Sequence, residues 1–112
     1  MTRRNKYGAK PRMVAGVRIA SGREAKRWSD LQWMEMDLKI ENLERQVTYI
    51  LAPSVKIAGE KRARPALRYT ADFRYVENGK VVVEDAKGFA DTAFRIRQHL
   101  MKSVHNIDVR LS

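Results

Sequence analysis

The sequence predicts an α/β fold in the order helix, three strands, helix, strand. Three observations carry that reading. A capped apolar helical pattern opens at Ser21, an Asn78-Gly79 pair joins two strand-like runs, and an amphipathic run after Asp91 leads back to a short final strand. The three strands form an antiparallel meander, and the second helix is a crossover that lets the last strand join the sheet in parallel. The sheet is therefore mixed and flanked by helices.

Each element has a local cause. Residues 1–15 are polar and basic and read as a flexible arm that orders on a partner, leaving residues 16–112 as a single domain. Val17 to Ala20 is a short strand. Ser21-x-x-Glu24 fits a capping box, and apolar residues follow at Ala25, Trp28, Leu31 and Met34 or Met36, so the first helix runs to about Lys39. Leu43 to Leu51 is strand-like, with Val47, Tyr49 and Leu51 on one side and Gln46 and Thr48 on the other. Pro53 to Pro65 is a loop rich in Pro, Gly and Arg. The next two strands lie near Ala66–Val76 and Val81–Lys87. Asn78-Gly79 sets their turn, because both central positions of a type I′ turn need φ > 0. Gly88 breaks the second of them. Asp91 or Thr92 caps the second helix, whose apolar positions include Ala93, Ile96, Leu100 and Val104. Ile107 to Leu111 is the last strand.

A length of 112 residues suffices for one compact domain. Without cysteine there is no disulfide framework and no thiolate metal site, which suits a reducing, intracellular setting. No apolar run reaches the ~20 residues of a membrane span, and the basic N-terminus lacks a signal peptide's apolar core. The formal charge of +10 is unevenly distributed. Met1 to Arg23 holds seven Lys/Arg and no acid, including Arg3, Arg4, Lys6, Lys10 and Arg12. A second basic run contains Lys61, Arg62 and Arg64, and a third contains Arg95, Arg97 and Lys102. Three basic clusters on a small domain point to a polyanion, most simply nucleic acid. The plainer alternative is a solvated basic surface.

The hairpin supplies the chemistry. With Asn78-Gly79 as its loop, Glu77 pairs with Lys80, and counting outward puts Asp72 opposite Asp85. Lys87, two residues beyond Asp85, projects from the same face. Like charges directly opposite each other destabilise a sheet, so a facing pair of acids implies a cation. Two carboxylates beside a lysine suit a magnesium ion holding a phosphate. The competing reading is two solvated acids near sheet edges, each with an arginine such as Arg74, and Lys87 as their counter-ion. Glu24 is a further candidate, although a capping box already gives it a structural task. Gln46, on the polar face of the first strand, either orients the site or satisfies backbone groups. Glu84 faces away from Asp85, beside Phe73, and lies outside the site. His99 and His105 lack metal-ligand spacing. No phosphate-binding glycine loop, dinucleotide fingerprint or nucleophile elbow is present. Trp28, Trp33 and Phe94 read as core or interface residues.

These residues resemble the PD-(D/E)XK nuclease superfamily, with Asp72 as the first acid and Asp85-Ala86-Lys87 as the (D/E)-x-K. The predicted element order matches that superfamily's restriction-endonuclease-like core. More narrowly, KYGAK at Lys6–Lys10, SGREAKRW at Ser21–Trp28, LERQ at Leu43–Gln46, YTADFRY and VVVEDAKGF resemble, in order, a family of small phage proteins suspected to be Holliday junction resolvases. The chain departs from that family's pattern at Val47, where Pro is frequent, and at Ala15-Gly16, where Asp-Gly is usual. The resemblance implies that Asp72 and Asp85 bind Mg²⁺ (Mn²⁺ as a substitute), helped by the Ala86 carbonyl and the helix-borne Glu24. It also implies that Lys87 positions water or stabilises charge, and that Gln46 belongs to the site. The expected activity is magnesium-dependent hydrolysis of DNA phosphodiesters by an endonuclease of phage recombination, acting as a homodimer on branched DNA. The alternative is a non-catalytic nucleic-acid-binding accessory protein of phage replication or recombination.

Overall fold

A computed structural model describes residues 12–14, 17–19 and 21–112. Strands β1 (Arg12–Val14) and β2 (Val17–Ile19) pair with each other in an antiparallel two-stranded sheet. The basic residues before them lie outside the described residues, so β1 falls at the end of the stretch expected to be an arm.

Helix α1 (Gly22–Met36) starts where the capping signal places it. The Ser21 hydroxyl accepts the Glu24 N–H at 3.1 Å. Ala25 and Leu31 are buried, and Trp28 and Met34 pack on the same core. The helix stops three residues before the expected Lys39. Leu38 takes a left-handed conformation (φ 60°), with Leu38 N–H donating to Glu35 O and Lys39 N–H to Met34 O. This is a Schellman closure, formed here without the usual glycine.

Strands β3 (Glu41–Ala52), β4 (Leu67–Glu77), β5 (Lys80–Asp85) and β6 (Val109–Leu111) form one sheet in that order. β3, β4 and β5 are successively antiparallel, and β6 joins β5 in parallel. Helix α2 (Thr92–His105), capped by Asp91 accepting from Phe94 N–H at 2.8 Å, makes the crossover. The order α1-β3-β4-β5-α2-β6 is the predicted one and matches a restriction-endonuclease-like α/β core. Asn78 and Gly79 both have positive φ (54° and 77°), and the ladder runs outward from Glu77↔Lys80 in the expected register.

Adjacent β5 residues join different cores. Val82 packs with Leu31, Ile40, Phe73 and Tyr75 beneath α1, whereas Val83 packs with Tyr69, Ala71, Phe94 and Met101 beneath α2. Since successive strand residues point to opposite faces, the two helices lie on opposite sides of the sheet. The apolar stripe of α2 differs from the expected one. Phe94 and Met101 are buried, while Ala93, Ile96 and Val104 face solvent and Leu100 is half-buried. The expected positions form a well-spaced stripe, but a neighbouring stripe with Phe94 is the one that packs. The Phe94 ring meets Tyr69 edge-on at 6.3 Å, and Ala71 in the same cluster leaves room for it.

On the α1 side Glu84 is fully buried. Arg27 donates to it twice, at 2.6 and 3.0 Å, and the Tyr75 hydroxyl once, at 2.6 Å. Burial alone would raise the Glu84 pKa, but these bonds outweigh it and hold the carboxyl below its ordinary value. The same bonds to Glu84 push the Arg27 pKa up. Arg110 extends the network to the Tyr75 hydroxyl at 3.2 Å. Arg27→Met leaves a buried carboxylate without its main partner and should cost about 3 kcal/mol in urea unfolding at neutral pH. In that variant the folded-state pKa of Glu84 rises above its unfolded value. Its deficit should therefore shrink as the pH is lowered, and a deficit independent of pH would contradict this account.

Candidate metal centre

Asp72 and Asp85 stand where β4 and β5 separate. The ladder between them ends at Phe73↔Glu84, one pair short of the two acids. Side chains replace the backbone bonds there. The Asp72 N–H donates to Asp85 Oδ1 at 2.9 Å, and the Ala86 N–H donates to Asp72 Oδ2 at 2.9 Å. Each carboxylate thus takes an amide from the other strand. The β3–β4 ladder is broken at the same level. Arg45↔Phe73 and Val47↔Ala71 pair, but Gln46 and Asp72 between them do not. Gln46 is left-handed (φ 53°).

This break changes the face that β4 presents. Ala71 and Phe73 are two residues apart and should share a face, yet Ala71 belongs to the α2 core and Phe73 to the α1 core. The strand turns over at Asp72. Tyr69, on the opposite parity from Asp72, is thereby brought to the acids. Its hydroxyl is buried without a hydrogen-bond partner among the described residues. Burial chiefly, and then the nearby Asp85, push its pKa up. That approach raises the pKa although no hydrogen bond to Asp85 forms at normal length.

Glu24 is brought to the same place. Its backbone amide makes the expected half of the capping box, but its carboxylate turns to β3. Gln46 Nε2 donates to Glu24 Oε2 at 3.3 Å and to Asp72 Oδ1 at 3.4 Å, and Arg45 Nη2 donates to Glu24 Oε2 at 3.3 Å. One amide therefore links two acids from different elements. Arg45 lies over the Trp28 ring, 5.5 Å from its centroid, and Trp28 stacks on Phe73 at 6.0 Å. Lys87 lies just past the end of β5. It is exposed, its Nζ is 5.1 Å from the Phe94 ring centroid, and its charge reaches Asp72.

The electrostatics follow from this grouping. Burial pushes the Asp72 carboxyl up to about 7. Asp85 and Glu24 add to the rise, while the Ala86 amide and the Lys87 charge oppose it. Among the described residues no three His, Cys, Asp or Glu side chains converge into a ready-made ligand cluster. One oxygen of each aspartate is already engaged by a backbone amide. Magnesium commonly uses one or two protein carboxylates and fills its shell with water and phosphate oxygens. The half-buried Asp72 and the buried Asp85, which repel each other, fit that smaller demand, with the Ala86 carbonyl and Glu24 as further candidate oxygen donors.

The basic residues are less concentrated than these acids. Arg3, Arg4, Lys6 and Lys10 lie outside the described residues, and Arg12 opens β1. Lys61 and Arg62 are exposed beyond β3, and Arg64 is tied to Glu60 at 2.7 and 3.0 Å. Arg95 and Arg97 are exposed on α2, and Arg97 is near enough to Tyr69 to draw its pKa down. His99 lines a surface hollow with Ile96 and Leu100, and His105 meets the Ile50 carbonyl at 2.8 Å. Sequence reasoning missed Tyr69 and Arg45. Arg45 had a signal, its place beside Gln46, but the turning-over of β4 that recruits Tyr69 leaves none.

Without metal, the raised Asp72 pKa sets a pH dependence. The folded form binds the proton more tightly than the unfolded form, so this contribution is full below about pH 4 and is lost as pH rises through about 7. Asp72→Asn keeps an oxygen for the Ala86 amide and removes the charge. In chelator it should melt above wild type at pH 8 and match it near pH 4. Mg²⁺ should raise the wild-type melting temperature and leave the variant unchanged. Equal pH profiles for the two proteins would show that Asp72 is not under this strain.

No curated protein and no solved structure matches the chain. Among the described residues no helix is long and apolar enough to cross a membrane. A family model does match, across residues 4–112, which includes every element and every candidate residue above except Arg3. The chain belongs to that family, described as protein of unknown function (DUF1064).

Proposed function

We propose that the protein is a magnesium-dependent endodeoxyribonuclease whose site is built from Asp72, Asp85, Lys87, Glu24 and Gln46. The observation that carries this reading is the bonding at the fork of β4 and β5, where Asp85 accepts the Asp72 amide and Asp72 accepts the Ala86 amide. It holds two carboxylates together at the cost of mutual repulsion, with a lysine two residues on. The amide bonds serve the fold, but the repulsion between the two carboxylates goes unrelieved unless a cation binds. The restriction-endonuclease-like topology and the +10 charge point the same way.

When bound, Mg²⁺ would polarise a phosphoryl oxygen of the scissile phosphate and make a coordinated water more acidic. The chain's own groups perform the rest. Asp72 and Asp85 offer their remaining oxygens as ligands. Gln46 ties Glu24 to Asp72, so that the helix and the hairpin move as one. Lys87, exposed two residues beyond the end of β5, would reach the attacking water or a non-bridging phosphate oxygen with its four-carbon stem. As water adds to phosphorus it gives up a proton to bulk water, the P–O bond to the departing strand end breaks, and the departing oxygen takes up a proton from bulk water. The ammonium of Lys87 offsets the charge that builds on the phosphate.

The finer reading is a resolvase of branched DNA. A four-way junction has two-fold symmetry and needs two sites, hence a symmetric pair of subunits. The exposed Trp33 and Met36 at the end of α1 are the residues suited to pairing. A cleavage panel of junction, flap, nicked, single-stranded and duplex DNA with Mg²⁺ tests both levels. Asp72→Asn, Asp85→Asn and Lys87→Ala should each lower the rate by about two orders of magnitude or more while DNA is still bound. Undiminished cleavage in excess chelator would sink the metal mechanism. Binding without any cleavage would favour the accessory-protein reading. Cleavage of duplex and junction alike by a strict monomer would remove the resolvase and keep the nuclease.

A further inference from the structure

A second feature adjoins the metal centre and is not used by it. Gly22, Arg23, Lys26, Arg27, Asp30 and Ser112 line a cavity of about 440 Å³. Three contacts fix it beside the acids. The Ser112 N–H donates to the Asp85 carbonyl at 3.0 Å. Arg23 Nη1 donates to the Ser112 carbonyl at 3.3 Å. A Cβ built on Gly88 would meet the Arg23 guanidinium at 3.6 Å, so Gly88 lies against Arg23 with no side chain between. The cavity wall is thus continuous with the Asp85–Gly88 segment that carries the proposed chemistry.

The charges in this wall are unequal. Arg27 is already spent on Glu84. Arg23 and Lys26 are exposed and form no ion pair among the described residues, and neither does Asp30. Among the lining side chains without an ion-pair partner, two cations stand against one carboxylate, and Arg23 also holds the Ser112 main-chain oxygen. The next residue after Gly88 is Phe89, which is 80% exposed. A single exposed apolar residue is ordinary. An exposed aromatic joined through a glycine to a cation-lined cavity, two residues from Lys87, has the two parts of a strand-holding surface: a positive groove for the backbone and a ring on which a base stacks.

We infer that this cavity and Phe89 form a nucleotide subsite that holds an unstacked stretch of DNA next to the scissile phosphate. Arg23 and Lys26 take the neighbouring phosphate, and Phe89 stacks on its base. The inference rests on the nuclease reading for its place in the reaction and deepens it by naming the substrate feature. A base inside a continuous duplex already has its stacking partners and has no need of Phe89. A base at a gap, flap or branch point has a free face. Preference for such DNA would arise within one subunit, from one ring.

The test is binding in chelator, separate from cleavage. The probes are a duplex with a short single-stranded gap carrying 2-aminopurine and a continuous duplex of the same length. Phe89→Ala should weaken binding to the gapped probe roughly tenfold or more, leave the continuous duplex unchanged, and abolish the change in 2-aminopurine fluorescence that wild type produces. Phe89→Trp should retain all three properties. Lys26→Gln should flatten the salt dependence of binding to the gapped probe by about 0.7 slope units, and Arg23→Gln with Lys26→Gln by about 1.4. The single Lys26 variant guards against loss of the Ser112 contact by Arg23. Wild-type affinity and fluorescence in Phe89→Ala, or an unchanged slope in Lys26→Gln, would overturn the subsite. A protein that grips gapped DNA through Phe89 and never cuts it would overturn the nuclease reading and leave the subsite standing.

Discussion

The pair of bonds from the Asp72 amide to the Asp85 carboxylate and from the Ala86 amide to the Asp72 carboxylate is the constraint on which the rest depends. An antiparallel ladder satisfies its own amides, and an acid pair at its end would ordinarily splay into solvent. Here each carboxylate accepts the amide that the ended ladder leaves free on the other strand. The two strands can then diverge without stranding a buried N–H. β5 stays paired with β6 through Asp85↔Leu111 after its ladder with β4 has ended, and β4 turns over to join the core beneath α2. Site and topology therefore share one set of hydrogen bonds. Removing the acids would alter the sheet as well as the chemistry.

Neighbouring residues on β5 show two opposite treatments of a buried carboxylate. Glu84 faces α1 and is compensated by Arg27 and Tyr75, which makes it a fixed structural element. Asp85 faces the other way and shares its surroundings with further acids. Burying charge is costly in both cases, but the cost is met internally at Glu84 and left open at Asp72 and Asp85. Where the protein has a spare arginine it spends it on Glu84. Arg45, the guanidinium beside Glu24, is held between that carboxylate and the Trp28 ring. The acidic centre thus keeps its unbalanced charge although the molecule as a whole is strongly basic.

Much of this was legible in the sequence, for local reasons. Asn78-Gly79 specified the turn and hence the register down to Phe73↔Glu84, and Ser21 and Asp91 capped the helices where a polar oxygen precedes an apolar pattern. The helix-three strands-helix-strand order followed. What stayed hidden depended on tertiary choices. The end of α1 rests on Leu38 adopting a conformation that residues of its type avoid, so nothing in its identity announced it. The buried face of α2 was misjudged because Ala93, Ile96, Leu100 and Val104 form the more regular apolar stripe, whereas the face that packs, Phe94 and Met101, is interrupted by Arg97 and Gln98 and is chosen by the sheet. Within the centre, Asp72, Asp85 and Lys87 could be placed together by counting along the hairpin. Glu24 and Gln46 could be named but not joined, since their link crosses from a helix to a strand. Tyr69 was out of reach because strict alternation sends it to the wrong side.

The left-handed Gln46 has a consequence for how this protein can change. A residue with a side chain in that conformation is held about 1 kcal/mol or more above its relaxed state. Glycine would release that strain and would also remove the amide that spans Glu24 and Asp72. Position 46 is therefore a place where robustness and competence pull apart. Selection for heat tolerance alone would drift toward glycine there, and a glutamine kept against that drift marks a lineage in which the centre is in use.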